Sequence, residues 1–168
     1  RDKGTLVAVA PVAHNPSIHA FEVAIADIVG QAHGVPICQL LGGAVRDRVL
    51  VHYWSGRRPP EELAQVALAA KEQGFSGIKI KWVLEDPNVE RVQAIQAACG
   101  PDFRIPLDPN QRFHTIQDTL ALAEALDGYP IELFEDPLPK ASGFHDYVKL
   151  RERMNIPVGL HLERPEDV

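Results

Sequence analysis

The chain predicts an α/β fold with a parallel sheet, the first five strands of a (β/α) TIM-type barrel, on three observations. Short apolar runs that read as strands alternate with stretches whose apolar residues recur at helical spacing, the pattern of successive βαβ units. Three of those runs close on charged residues in phase: Lys79-Ile80-Lys81, Leu107-Asp108-Pro109-Asn110 and Phe134-Glu135-Asp136-Pro137. Lys81 and Asp108 are 27 residues apart (108 − 81), as are Asp108 and Glu135 (135 − 108), a period that fits one strand and its returning helix. Finally, no glycine-rich phosphate loop follows any run, as a complete doubly wound domain would need at its switch point.

Residues 1–16 carry small apolar residues with Pro11 and Pro16 and read as a connecting segment. Ser17 is placed to cap a helix on which Ala20, Val23, Ala24, Ile28 and Ala32 recur, ended by Gly34 and Pro36. A short turn, Ile37 to Leu41, precedes Gly42-Gly43. The first strand reads as Val49 to Trp54, and Pro59-Pro60 opens a helix that stops at Gly74, since the first helical turn tolerates proline. Gly77 to Lys81 is the second strand. Asp86-Pro87 caps and starts a helix over Val89–Cys99, closed by Gly100. Phe103 to Asp108 is the third strand, and Thr115 caps a helix to about Leu126. Ile131 to Glu135 is the fourth. A helix centred on Tyr147 to Met154 leads to a fifth strand from Ile156 to about Leu162.

Composition narrows the function classes. The 168 residues, 45% hydrophobic, are those of an ordinary globular domain. A net charge of −6 argues against nucleic acid, which needs a basic face. Cys38 and Cys99 lack CxxC spacing and read as reduced core thiols. No run is apolar and long enough to span a bilayer, and the first residues show no signal-peptide pattern, so a cytoplasmic protein without membrane contact is expected. Five strands do not close an eight-fold barrel of roughly 250 residues. The last residues, Pro165 to Val168, read as the start of another helix, so a piece of a longer protein or a truncated form is expected.

Strand alternation puts Lys79 and Lys81 on one face and Ile78 and Ile80 on the other. Two close ammonium groups depress each other's pKa, which suits one of them to act as a base near neutral pH. Asp108 and Glu135 each end an apolar strand, where a lone carboxylate is costly without a partner, and Mg²⁺ is a natural partner for a few carboxylates. The same alternation puts Ile131, Leu133 and Glu135 on one face and turns Glu132 to the other, toward solvent or helix. A base facing two acids suggests metal-assisted proton abstraction. Arg57-Arg58 reads as a solvated loop in preference to an anion site, the histidines at 14, 19, 33 and 52 as surface or satisfied core groups, and Trp82 and Phe113 as pocket lining or packing.

These motifs, in this order, resemble the enolase superfamily in its mandelate racemase and muconate lactonizing enzyme branch. Ala20 to Gly30, Gly34-Val35-Pro36 and Leu40 to Gly43 resemble the last helix of that family's α+β capping domain and the link into its barrel. Arg48 to Ser55 resembles barrel strand one, Lys79-Ile80-Lys81 the K-x-K of strand two, Asp108-Pro109-Asn110 the D-x-N of strand three, and Glu135-Asp136-Pro137 the acid pair and proline of strand four. The resemblance implies residues 1–45 as the end of a capping domain with its link, and 46–168 as the N-terminal part of the barrel. It implies Asp108 and Glu135 as Mg²⁺ ligands and Lys81 as the base that removes a proton α to a carboxylate. Lys79 would lower the pKa of Lys81 and touch the substrate carboxylate, and Asn110 would bind substrate or the metal shell. The enolate so formed is reachable only where a cation neutralises it.

The chain departs from the family at strand five. The expected third acidic ligand falls on Leu162, with Glu163 one residue later and His161 one earlier. A bulge could bring Glu163 inward, His161 could substitute, or the metal could be held differently; a one-residue slip turns a side chain to the other face. The expected activity is dehydration of an acid sugar, with racemisation, epimerisation or cycloisomerisation as alternatives, on a small carboxylate substrate and in a homo-oligomer. A metal-poor, non-catalytic relative is the rival from another class.

Overall fold

The computed structural model describes residues 16–113, 115–139 and 141–161. Two compact units divide the chain, one of residues 1–49 and 162–168, the other Leu50–His161. In the first, helix α1 spans Pro16–His33 and α2 spans Ile37–Leu40. The apolar residues on α1 are largely exposed, Phe21, Val23, Ile25 and Ile28 among them. Cys38 is exposed, and only Cys99 is the core thiol expected of both. No residue of α2 is buried, so Cys38 has no core to enter there.

The second unit runs β1 (Tyr53–Ser55), α3 (Pro60–Glu72), β2 (Ile78–Lys81), α4 (Asn88–Cys99), β3 (Ile105–Asp108), α5 (Ile116–Ala125), β4 (Ile131–Glu135), α6 (Phe144–Arg153) and β5 (Val158–Gly159). The strands are parallel and lie in chain order, β1-β2-β3-β4-β5. Sequential order has no switch point, so the doubly wound alternative is excluded for this unit. Right-handed crossovers in sequential order return every helix to the same side of the sheet.

That side holds the core. Ile78, Ile80, Ile105, Leu107 and Phe134 pack with Leu63, Ala67 and Ala70 of α3, Val92, Ile95 and Cys99 of α4, and Leu122 and Ala123 of α5. Each fully buried Ile, Leu or Phe contributes on the order of 1.5–3 kcal/mol. Trp82 and Phe113 join this core, Phe113 also bordering a pocket with Val83, Gln111 and Pro139, and Phe113 meets Phe134 edge to face at 5.9 Å. Thr115 caps α5 as its position predicts, its hydroxyl oxygen accepting from the Asp118 N–H at 3.1 Å. Asp86 makes no cap for α4. Its carboxylate is taken up by two arginines, Arg57 at 2.8 and 2.6 Å and Arg91.

β4 corrects one expectation. Ile105 pairs with Ile131, but Pro106 pairs with Leu133, so the register shifts by one residue. The extra residue is Glu132. A bulge of this kind re-aims the side chain it carries. Glu132 therefore lies in reach of His52, whose Nε2 is 2.5 Å from Glu132 Oε2, instead of facing solvent or helix. Ile131 no longer shares the face of Leu133 and Glu135.

Candidate active site

The face of the sheet away from the core carries the charged strand ends. β2 ends on Lys81, paired in register with Asp108 at the end of β3. β4 ends on Glu135, paired with Gly159 of β5. In-phase strand ends in adjacent parallel strands lie side by side, which is why residues 27 apart in sequence meet. The Lys79 ammonium donates to Glu135 Oε2 at 2.6 Å and lies 3.0 Å from Asp108 Oδ2. The Lys81 ammonium donates to Asp108 Oδ2, and to Asn110 Oδ1 at 2.6 Å. Asp108 Oδ1 accepts from the Asn110 N–H at 2.9 Å. Lys79, Lys81, Asp108, Asn110 and Glu135 thus form one hydrogen-bonded cluster.

Asp108 is almost fully buried, the lysines about a quarter exposed. Burial pushes the Asp108 carboxyl up, yet hydrogen bonds from Lys81, Lys79 and the Asn110 amide outweigh it and hold the group below the usual carboxylate range. Burial likewise opposes charge on Lys79, but its hydrogen bonds to Glu135 and Asp108 prevail and raise its pKa. The mutual depression expected of the lysine pair does not govern Lys79, because both carboxylates engage its ammonium directly.

The donor set suits a hard divalent cation. Two carboxylate oxygens, from Asp108 and Glu135, converge on a single ammonium, so they already share one cationic point. Among the described residues no three His, Cys, Asp or Glu side chains are gathered as a metal site. Glu163, expected as a third ligand, lies outside the described residues, as does Leu162. His161 is described: its backbone N–H donates to Asp136 Oδ1 at 2.8 Å.

Three features escaped the sequence reading. Asp136, between the strand-four acid and its proline, is buried and has a left-handed φ of 47°. Asp86 and Arg91 form a buried ion pair, and Arg91 Nε also donates to the Arg58 carbonyl at 2.7 Å, joining the loop after β1 to the loop after β2. Arg57 is about half exposed, in the loop expected to be solvated, and its guanidinium is paired with Asp86. The third is the His52–Glu132 pair, between the residue preceding β1 and the bulge in β4. The i to i+5 spacing of Asp86 and Arg91 was a weak signal for the second; nothing local announced the others.

Comparison with known proteins identifies the surroundings of this cluster. Residues 61–168 match the family model described as enolase C-terminal domain-like. A hydrophobic dipeptide epimerase of Enterococcus faecalis is 35% identical over 122 residues, 72% of this chain and 34% of that protein. An arabinonate dehydratase of Saccharolobus solfataricus is 29% identical over 150 residues, 84% of this chain and 39% of that protein. A D-galactarolactone cycloisomerase of Agrobacterium fabrum is 30% identical over 151 residues, with shares of 84% and 39%. Among solved structures, the Cytophaga hutchinsonii dipeptide epimerase complexed with Mg and the dipeptide D-Ala-L-Val superimposes with a TM-score of 0.69 at 27% identity, covering 84% of this chain and 38% of that one. The chain spans between a third and two fifths of the length of these relatives.

Proposed function

The chain belongs to the enolase C-terminal domain-like family, and from that premise we propose that it contributes the base and two metal ligands for removing a proton α to a carboxylate. Relatives named epimerase, dehydratase and cycloisomerase make lyase or isomerase activity the activity of this family's members. The observation that carries the proposal is the cluster itself: a lysine pair hydrogen-bonded to two carboxylates that converge on one cationic point.

In this reading Asp108 and Glu135 hold Mg²⁺, with Glu163 as the proposed third ligand. The bound cation would supply charge to stabilise an otherwise inaccessible enolate. Lys81 takes the α-proton on Nζ. Asn110, hydrogen-bonded to that Nζ, holds it in place and offers its amide to substrate. Lys79, hydrogen-bonded to Glu135 and 3.0 Å from Asp108, serves as the fixed positive charge toward the substrate carboxylate. Residues 1–45 end a capping domain and 46–168 open the barrel. A small carboxylate substrate, a homo-oligomer and a cytoplasmic location complete the proposal; no described helix is long and apolar enough to cross a membrane.

Proton removal is common to acid-sugar dehydration and to epimerisation, and the two differ in the fate of the enolate. The test incubates the full-length protein in D₂O with acid sugars and with dipeptides, with and without Mg²⁺. Mg²⁺-dependent loss of water from an acid sugar establishes the dehydratase; deuterium at a dipeptide α-carbon establishes the epimerase. No exchange on either class, with no metal bound, refutes the proposal in favour of a non-catalytic relative.

A further inference from the structure

We propose that Asp136 is a positioning residue whose carboxylate fixes the end of β5 against the rims of β3 and β4. The inference rests on the reading of Glu135 as a metal ligand, and it concerns how the next strand is held beside that ligand. Asp136 follows Glu135 directly and is only 8% exposed. A buried carboxylate is costly unless hydrogen bonds satisfy it. Its φ of 47° is left-handed, a conformation that costs a non-glycine residue on the order of 1–3 kcal/mol unless the surroundings impose it. Pro137 restricts the same residue further.

The surroundings do impose it. Asp136 N–H donates to the Gly159 carbonyl at 2.9 Å, and the Gln111 N–H donates to the Asp136 carbonyl at 2.8 Å. Its Oδ1 accepts from the His161 N–H at 2.8 Å. One residue therefore ties the turn after β3, the end of β4 and the chain leaving β5. β5 pairs with β4 at two positions, Val158 and Gly159. Two positions past a ladder this short, the Asp136 carboxylate grips the backbone again at His161. Register matters most here, because a slip of one residue turns every following side chain to the other face. Left-handed Asn110 and Gln111 on the neighbouring rim belong to the same locked turn system.

Two substitutions separate the side chain from the backbone. Asp136→Gly removes the acceptor at a φ that glycine adopts freely, so the fold is not strained by the change. Asp136→Asn keeps an acceptor oxygen and tolerates the left-handed region. In the full-length protein, hydrogen exchange of the peptide containing residues 159–161 is read by mass spectrometry, and Mg²⁺ affinity by calorimetry. Asp136→Gly is expected to speed exchange at this peptide by about tenfold or more, as loss of a hydrogen bond to a charged group implies. It should weaken Mg²⁺ by roughly 10–100-fold, as loss of a supporting partner does, while Asp136→Asn stays near wild type in both. Unchanged protection in Asp136→Gly overturns the proposal, as does an Asp136→Asn protein as impaired as the glycine variant. If wild-type protein binds no Mg²⁺, the reading of Glu135 fails on its own, and the exchange measurement still judges Asp136.

Discussion

Lys79 and Lys81 occupy one strand face two residues apart, but their partners differ. Lys79 bridges both acids, while Lys81 touches one acid and Asn110. In the proposed roles the first carries the fixed charge and the second transfers the proton. Asp108 is the shared partner, so it is the residue on which the metal reading is most exposed. Asp108→Asn should weaken Mg²⁺ binding by more than the roughly 10–100-fold typical of losing an outer partner; calorimetry on the full-length protein checks this. Lys81, Asp108, Asn110 and Glu135 were legible in the sequence because strand ends and two-residue alternation fix where such side chains go. Asp136 was not, because its role depends on a left-handed backbone and on a strand 25 residues further on.

At the scale of elements, the loops after β1 and β2 are joined through Asp86, held by Arg57 and Arg91. Burial opposes its charge, but the two guanidinium groups hold its pKa below the usual carboxylate range. A depressed folded-state pKa contributes stability above the unfolded pKa and loses it as pH falls through the folded one. Asp86→Asn should therefore cost about 2 kcal/mol near neutral pH, less than a wholly buried pair because Arg57 is half exposed. The difference from wild type should shrink as denaturation is repeated at acidic pH below the ordinary carboxylate range. At the start of β2, Gly77 bridges to Arg104, and a Cβ there would collide with the Arg104 carbonyl oxygen. Backbone cannot yield as a side chain tip does, so Gly77→Ala should destabilise by about 1–3 kcal/mol, measured by urea midpoint. Strand and helix order was legible from periodicity, since buried parallel strands and amphipathic helices differ in apolar pattern. The bulge at Glu132 was not, because a register shift is a property of two strands together. β1 and β5 were overestimated for a related reason: apolar residues precede the ladder, Val49 to Val51 before β1 and Ile156 before β5.

For the molecule as a whole, the chain spans a third to two fifths of the length of its relatives. The relatives diverge in named reaction while sharing the fold, as expected where function lies in groups at the strand ends and not in the scaffold. The groups proposed for that chemistry in this chain are the acids at the ends of β3 and β4 and the lysines on β2. The most direct measurement is α-proton exchange in D₂O by the full-length protein and its Lys81→Ala variant, followed by NMR at saturating Mg²⁺ on a substrate the wild type turns over. With Lys81 as the base, the variant should lose about 10²–10⁴-fold in exchange rate while its Mg²⁺ affinity stays within a few-fold. Exchange retained at the wild-type rate would contradict the account and move the base to another residue.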